Sequence, residues 1–473
     1  MRTLKSLETH QKPIYISLLL ISVCISIYFA YVHMLNMDER EHLYASFMIY
    51  SGYIPYKDFF EHHHPLLWYL FAPILNFCDN TPYIWYIIRT FGLIILSITT
   101  FLVYKLALFI TNNKTTALTA IIIYLGFETV GYAGTEFRPD NLMICLFLAG
   151  LYQYLKYLKQ DNWKNLAKAY FLFFLSLLTL QKIIVLLSVM GLIIFFLAYR
   201  HKKIRTVFIT LLLPLSATLL YGLYLYHYDT LKIYLESNWI LHKYFRFHPT
   251  FKFIKTIFYF LPSLGAVLAL FLSKKSPVSL NIIKILYLVC FIFILILSPS
   301  SQYLLPCYPF LAIIFADFLS TRFEKYSLII LCLYTATSLY SAIKLHQSPE
   351  LGPETHTELS KIIINNSNKD DLIVSDMFWS GGLRRSAYGY YWFSIGGISL
   401  LDYKLFHHHE LPDLNRIISI RKPKIVANAP IFDCLTENHE LLLIPDCTLS
   451  QSISENATQD NYLKSEFIYL RIK

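Results

Sequence analysis

The sequence predicts an all-α polytopic membrane protein with a small α/β domain at its C-terminal end. Three observations carry this. Hydrophobic residues make up 56% of the chain and charged residues only 15%, whereas a soluble domain is roughly a quarter charged. The apolar residues gather into about eleven runs of span or near-span length, a crossing helix needing roughly 20 residues. From about residue 350 the pattern changes: Gly, Pro, Asn and Asp enter, and short β-rich runs replace the long apolar ones.

The runs lie near 14–35, 82–104, 115–131, 140–157, 166–181, 183–199, 206–227, 254–272, 282–298, 303–319 and 327–344. The first is longer than the apolar region of a signal peptide and has no clear cleavage site, so it reads as a span. The stretch 65–78 is apolar but too short to cross, and reads as a re-entrant or interfacial helix. Orientation follows from Lys and Arg in short loops. Arg2, Lys5, Lys12, Lys156, Lys159, Lys164, Arg200, Lys202, Lys203, Arg205, Lys274, Lys275, Arg322 and Lys325 all fall on one side if the N-terminus is cytoplasmic. Loops 36–64, 132–139, 228–253 and 299–302 then lie on the outer face of an inner membrane. An odd number of spans puts the tail there too. The expected division is a membrane domain over 1–345 and an extracytoplasmic domain over 346–473.

The tail alternates short strands (372–375, 424–427, 441–444, 467–472) with helices (358–366, 412–420), the pattern of a small α/β domain. The net charge of +10 would point to nucleic acid in a soluble protein. Here the basic residues sit between apolar runs and form no stripe with interleaved aromatics, so lipid headgroups are the partner and nucleic acid is excluded. Of eight cysteines, Cys24, Cys78, Cys145, Cys290, Cys307 and Cys332 fall in or beside apolar runs as small hydrophobes. Cys434 and Cys447 could pair if the tail is outside. No CxxC pair supports a zinc site.

Two outer loops carry most of the chemistry. The first reads Asn36-Met37-Asp38-Glu39-Arg40-Glu41-His42-Leu43-Tyr44, then Gly52-Tyr53-Ile54-Pro55-Tyr56-Lys57-Asp58-Phe59-Phe60-Glu61-His62-His63-His64-Pro65. Acidic groups at a membrane boundary cost desolvation and are rarely idle when clustered. Asp38, Glu39, Asp58 and Glu61 with three histidines supply general-base and metal-ligand chemistry; the plain alternative is a solvated loop. The second reads Gly134-Thr135-Glu136-Phe137-Arg138-Pro139-Asp140-Asn141. Pro139 suits a first helical turn, which places Asp140 at that helix's outer end, where it could also serve as a simple cap. Loop 228–253 breaks the charge rule with Lys232, Lys243, Arg246 and Lys252, which suits either an anionic partner such as a lipid phosphate or simply a solvated or headgroup-facing loop.

These stretches resemble a family. Asp-Glu after the first span, then Gly-x-x-Pro-Tyr-x-Asp-Phe-x-x-(Lys/His)-x-Pro-Leu, followed by Glu-x-Arg-Pro-Asp, is similar to the GT-C membrane glycosyltransferases. The branch is the one with the protein O-mannosyltransferases and the lipid A aminoarabinose transferase. Gln181-Lys182 resembles a lysine position of these enzymes. Gln302-Tyr303-Leu304-Leu305-Pro306-Cys307-Tyr308-Pro309 resembles their late (Arg/His)-Tyr-x-x-Pro-x-x-Pro segment, with Gln302 where they carry a cation.

The resemblance implies a GT-C fold, a polyprenyl-phosphate sugar donor and, usually, inversion at the anomeric centre. An acceptor hydroxyl is a poor nucleophile at neutral pH, so a carboxylate must take its proton. The phosphate leaves as an anion and needs cations rather than a proton donor. By resemblance Asp38 is the base, Glu39 positions acceptor or donor, and Asp140 fills the second acidic position. Arg138, Lys182, Lys57, Lys243 and Arg246 are candidate phosphate contacts, and Asp58, Glu61, His62, His64, Glu136 and Tyr303 complete the substrate-binding set. The acceptor is a glycan, lipid or protein hydroxyl, and the transferred group a hexose or pentose.

Adjacent histidines on an extended segment point in alternating directions, so three in a row rarely hold one ion. Glu61 with His62 or His64 could still hold a divalent metal; no other cofactor is implied. His407, His408 and His409 read as a surface loop. The main rival is a transporter or flippase of a lipid-linked glycan, which would place charges and broken helices in mid-membrane. A polysaccharide polymerase or ligase would rely on a large late outer loop instead.

Overall fold

The computed structural model describes residues 2–244, 277–297, 301–347, 352–375, 383–392, 397–411, 416–427, 462–465 and 468–471. Apolar runs in lipid must satisfy every backbone N–H and C=O internally, so they become helices. In chain order these are α1 (Arg2–Val32), α2 (Met37–Tyr50), α3 (Leu66–Phe71), α4 (Leu75–Cys78), α5 (Ile84–Thr111), α6 (Lys114–Gly126), α7 (Glu128–Tyr132) and α8 (Pro139–Gln160). Then follow α9 (Trp163–Thr179), α10 (Ile184–Arg200), α11 (Ile204–His227), α12 (Leu231–Leu235), α13 (Val278–Leu297), α14 (Tyr308–Arg322), α15 (Glu324–Gln347), α16 (Pro353–Asn366) and α17 (Gly397–Phe406).

Among the described residues five helices are long and apolar enough to cross a membrane: Pro13–Val32, Ile84–Thr111, Gln181–Arg200, Ile204–His227 and Glu324–His346. Other expected spans are helices of a different kind. At 17 and 15 residues, α9 and α14 are short, and α8 interrupts its apolar run with Asp140, Gln153 and Lys156. The run at 254–272 lies outside the described residues. The expected single span 115–131 is broken: α6 and the helical stretch after it meet at 81°. Phe127 at the break has extended backbone, φ −72° and ψ 121°, which ends the first helix. The short apolar stretch 65–78 is a helix as expected, α3 and α4 joined by a tight turn over Ala72–Ile74 that contains Pro73.

The chain divides into two compact units. The first comprises Met1–His33, Arg89–Leu219 and Phe247–Glu350. Its core joins Leu106 of α5, Ile122 of α6, Phe147 and Leu151 of α8, Phe173 of α9, Met190 of α10, Leu286 of α13 and Phe310 of α14. Polar ties fix helix pairs within this core: Ser176 Oγ donates to Met143 O at 2.7 Å, and Tyr15 OH meets Ser327 Oγ at 3.3 Å. Gly92 of α5 lies so close to the 132–139 loop that a Cβ there would sit 2.1 Å from Thr135 O.

The second unit comprises Met34–Ile88, Leu220–Arg246 and Leu351–Lys473. Its sheet has strands β1 (Leu372–Ser375), β2 (Arg385–Ser386), β3 (Ile425–Ala427), β4 (Tyr462–Ser465) and β5 (Ile468–Arg471), in the order β2-β1-β3-β5-β4. β1 runs parallel to β2 and β3, and the two remaining pairings are antiparallel. Three of the expected strands are present; 441–444, Cys434 and Cys447 lie outside the described residues, as does 412–415 of the expected helix 412–420, whose end is a π turn over Ile417–Arg421. The C-terminal residues pack on loop 36–64 and the chain just after it. Trp392 stacks on Tyr44 with centroids 4.1 Å apart, and Trp85 Nε1 donates to Ser360 Oγ at 2.8 Å. Arg384, 1% exposed, donates to Asn80 Oδ1 at 2.8 Å.

The Gly92 contact yields a test. Gly92→Ala pushes a methyl into a backbone oxygen that has no rotamer to escape with, and overpacking of this kind costs about 1–3 kcal/mol. The unfolding temperature of the purified protein should fall by several degrees; an unchanged value would mean that the loop gives way freely.

Candidate functional site

The acidic start of loop 36–64 is built by a helix cap. Asn36 Oδ1 accepts the Asp38 N–H at 3.1 Å, and Glu39 Oε2 accepts the Asn36 N–H at 3.1 Å, a reciprocal capping box that opens α2. Glu39 is fully buried and helps to hold the helix start, while Asp38 is half-buried in the first turn. Arg40 follows, 5% exposed; burial lowers its pKa to about 10 against the opposing pull of Glu39 and Asp38, so it stays cationic.

One turn after Asp38, Glu41 reaches the histidine segment. Its Oε1 lies 3.5 Å from Nδ1 of both His62 and His63, and His63 Nδ1 is also 3.5 Å from Glu61 Oε2. The metal-ligating atoms of Glu41, Glu61, His62 and His63 all lie within 4.8 Å of one another. This corrects the expected metal set. His64 turns away instead, pairing its Nε2 with Tyr234 OH at 3.0 Å, with Trp239 beside it at 5.6 Å. The alternation argument does not apply because the segment bends at His63 rather than running as a strand, which sets the rings of His62 and His63 3.9 Å apart.

The segment is pinned from several sides. Asp58 Oδ2 accepts the Ile54 N–H at 2.7 Å, closing a turn in which Tyr56 has φ 67°; Gly52, two residues before Ile54, has φ 88°. Tyr56 OH donates to His63 O at 2.7 Å. Phe60 N–H donates to Tyr390 O at 2.9 Å, and Trp392 Nε1 donates to Phe60 O at 3.0 Å. His242 Nε2 lies 3.3 Å from His62 O. Lys57 and Lys243 are exposed in this unit, and Arg246 lies outside the described residues.

Burial and the nearby Glu41 push the Glu61 carboxyl well above the usual range, partly offset by His63. Burial alone would lower His63, but its hydrogen bonds to Glu41 and Glu61 more than reverse that and raise it. The cluster therefore holds protons near neutral pH that a divalent cation could replace. Among the described residues Glu61 Oε1 has no hydrogen-bond partner and Glu41 Oε1 meets only the two imidazoles at 3.5 Å; two carboxylates with imidazole form a donor set that suits zinc or manganese. The residues fit a metal.

The second loop builds a separate group in the first unit. Pro139 opens α8, as expected; the cap position is Arg138, so Asp140 is not the cap. Arg138 lies between Glu136 Oε2 at 3.4 Å and Asp140 Oδ2 at 3.5 Å, all three buried. Asn141 Nδ2 donates to Ala133 O and Glu136 O, each at 2.9 Å, which holds the loop against the helix start. Lys182 Nζ is 3.9 Å from Asp140 Oδ1 and 4.1 Å over the Tyr303 ring, with a third of its side chain exposed. Five expected residues, Glu136, Arg138, Asp140, Lys182 and Tyr303, thus meet in one network of two acids, two bases and an aromatic face. Glu41 is the site residue that sequence reasoning passed over, and His63 was read only as one of three adjacent histidines; the available signal for Glu41 was an acid three residues after Asp38 on one helix.

A family model described as dolichyl-phosphate-mannose-protein mannosyltransferase matches residues 62–226, about a third of the chain. ArnT from Cupriavidus metallidurans bound to undecaprenyl phosphate has a similar structure, with TM-score 0.61 over 90% of this chain and 94% of that one at 12% identity. The chain has a GT-C fold. ArnT from the same organism in the apo state gives TM-score 0.62 over 91% and 94%, again at 12% identity. No curated protein matches by sequence. The GT-C fold is the one that the outer-loop motifs implied, and it makes this a multi-pass membrane protein.

Metal binding at Glu41, Glu61, His62 and His63 should tighten as pH rises. Glu61 and His63 keep their protons to higher pH than usual, and a metal needs both groups deprotonated. Calorimetric titration with Mn²⁺ or Zn²⁺ should show higher affinity at pH about 8 than at about 6, with proton release into the buffer. Glu61→Gln should reduce this pH dependence but leave the part that His63 contributes. Equal affinity at both pH values would contradict the assignment.

Proposed function

We propose that the protein is a membrane glycosyltransferase that moves a sugar from a polyprenyl-phosphate donor to an acceptor hydroxyl on the outer face of the membrane. The observation that carries this reading is the placement of Asp38. It stands in the first turn of the helix directly after the first span, two residues before a buried arginine and three before the Glu41–Glu61–histidine cluster. Undecaprenyl phosphate bound to ArnT supports a polyprenyl-phosphate donor here.

In this reading Asp38 takes the proton of the acceptor hydroxyl as the oxygen attacks the anomeric carbon from the face opposite the phosphate, which inverts the centre. General-base help of this kind is worth about a hundred- to ten-thousand-fold. Glu39 fixes the helix start from which Asp38 projects. Departing phosphate needs positive charge; Arg40 supplies it two residues from Asp38, and a metal, if held by Glu41, Glu61, His62 and His63, would add to it. Asp140 and Glu136 hold Arg138 and Lys182 in place. The membrane is the inner one, with the N-terminus cytoplasmic.

A second reading, transport or flipping of a lipid-linked glycan, draws on one observation: the span broken at Phe127, next to the exposed Glu128. Discontinuous helices are common at transporter binding sites.

The test is transfer from radiolabelled polyprenyl-phosphate sugars in membranes carrying the wild type or Asp38→Asn. Label should move to a product with the wild type, and at least a hundredfold more slowly with the variant, at equal expression and insertion. Near wild-type transfer by Asp38→Asn would defeat the base assignment. Donor crossing the bilayer without product would favour transport.

A further inference from the structure

The short apolar helix Leu66–Cys78, made of α3 and α4, has two faces. Leu67, Trp68, Phe71 and Leu75 turn inward and are buried. Tyr69, Leu70, Pro73, Asn76 and Phe77 are exposed. These positions recur every three to four residues, so they form one continuous side of the helix. Phe77 is 92% exposed. A helix side turned to water carries charged residues, yet nothing from Pro65 to Cys78 is charged.

Contacts within the same unit fix the height of this helix in a bilayer. Tyr69 OH meets Tyr224 OH at 2.9 Å. Tyr224 stands three residues before the end of α11, a candidate span only 11% buried. Leu215, Leu219, Leu220 and Leu223 of that helix are more than half exposed, as lipid-facing residues are. Arg205 stands at its other end. A hydrocarbon core of about 30 Å takes up about 20 residues at about 1.5 Å each, which brings Tyr224 to headgroup level. Tyrosines gather at that level, and Tyr221 and Tyr228 pack on Tyr224 with ring centroids 6.3 and 4.9 Å away. At its other end the short helix is five residues from Ile84, which opens the 28-residue span α5. Both ends are thus tied to the ends of spans, which lays the helix along the bilayer surface.

We propose that Tyr69, Leu70 and Phe77 form a docking surface for phospholipid, at the boundary between headgroups and acyl chains in the leaflet away from Arg205. The occupant is lipid because the exposed side continues the lipid-facing side of α11 across the Tyr69–Tyr224 bond, and because it carries no charge for a soluble partner to match. The buried side explains what the docking does. Trp68 Nε1 donates to His42 Nδ1 at 3.1 Å, and the His42 ring stands edge-on to His63 at 4.9 Å. Lipid and the histidine cluster lie on the two sides of one helix, so its height in the leaflet sets the height of the cluster. On the glycosyltransferase reading that is the level of a lipid-linked donor's phosphate; the lipid contact itself rests only on the membrane fold.

The test is photo-crosslinking of the full-length protein in nanodiscs of phosphatidylethanolamine and phosphatidylglycerol. p-Benzoylphenylalanine replaces Phe77, whose exposure leaves the packed side of the helix untouched. The same probe in place of Leu215, near the middle of α11, is the reference for the hydrocarbon core. After irradiation, tandem mass spectrometry reads which lipid atoms carry the probe. Position 77 should give lipid adducts in yield comparable to position 215, placed on the glycerol and the first acyl carbons rather than on the lower half of the chains. Adducts as deep as those from position 215 would mean a re-entrant helix and overturn the proposal. Crosslinks to protein alone, or no adduct, would overturn it as well. The readout needs no turnover, so failure of the Asp38 experiment leaves it intact.

Discussion

Glu41 and Glu61 lie against the same histidine with almost no access to water, and the second unit is organised around that encounter. Two buried carboxylates cannot both stay ionised beside each other without compensation. Shared protons or a metal must supply it. Either solution needs His63 turned inward, and the bend at that residue is enforced from outside the cluster. Tyr56 holds the His63 carbonyl, Tyr390 and Trp392 hold Phe60, and Tyr234 draws His64 away. The restraint is distributed over three stretches of chain far apart in sequence, so no local change can relax it alone.

The first unit meets its charges differently. Arg138 stands between Glu136 and Asp140, and Lys182 takes the outer side of Asp140 while leaning on the Tyr303 ring. Acids and bases are matched one to one, which lets four ionisable side chains live at the edge of a helical core largely free of them. Lys182 is the one of the four with appreciable exposure, and therefore the one whose charge an incoming group could share.

Features set by local rules were legible in the sequence. Proline has a fixed φ and no N–H, so Pro139 marked the start of α8; a β-branched run marked 372–375; length alone marked 65–78 as too short to cross. Features set by distant partners were not. β2 has two residues and exists through its register with β1. The 81° break at Phe127 interrupts a run whose hydropathy is continuous. Asp38, Glu61, His62, Asp140 and Lys182 could be singled out because they stand in short motifs. The convergence of Glu41 with His63 depends on a turn of the intervening chain, and hydrophobic periodicity is silent about such turns.

The packing of Trp392 on Tyr44 carries a consequence for biogenesis. Ribosomes add roughly 5–20 residues per second, so the aromatic partners of the first outer loop are synthesised on the order of tens of seconds after the loop itself. During that interval the loop has its helix cap but lacks Phe60's strand-like partner and the indole that covers Tyr44. Its acidic and histidine side chains are meanwhile hydrated and accessible. The nascent protein thus passes through a stage in which its spans can insert while its chemistry is unassembled, and the later-made stretch around Trp392 is the one that covers the loop. Late assembly keeps the cluster of Glu41, Glu61, His62 and His63 unformed until the chain around Trp392 has been made.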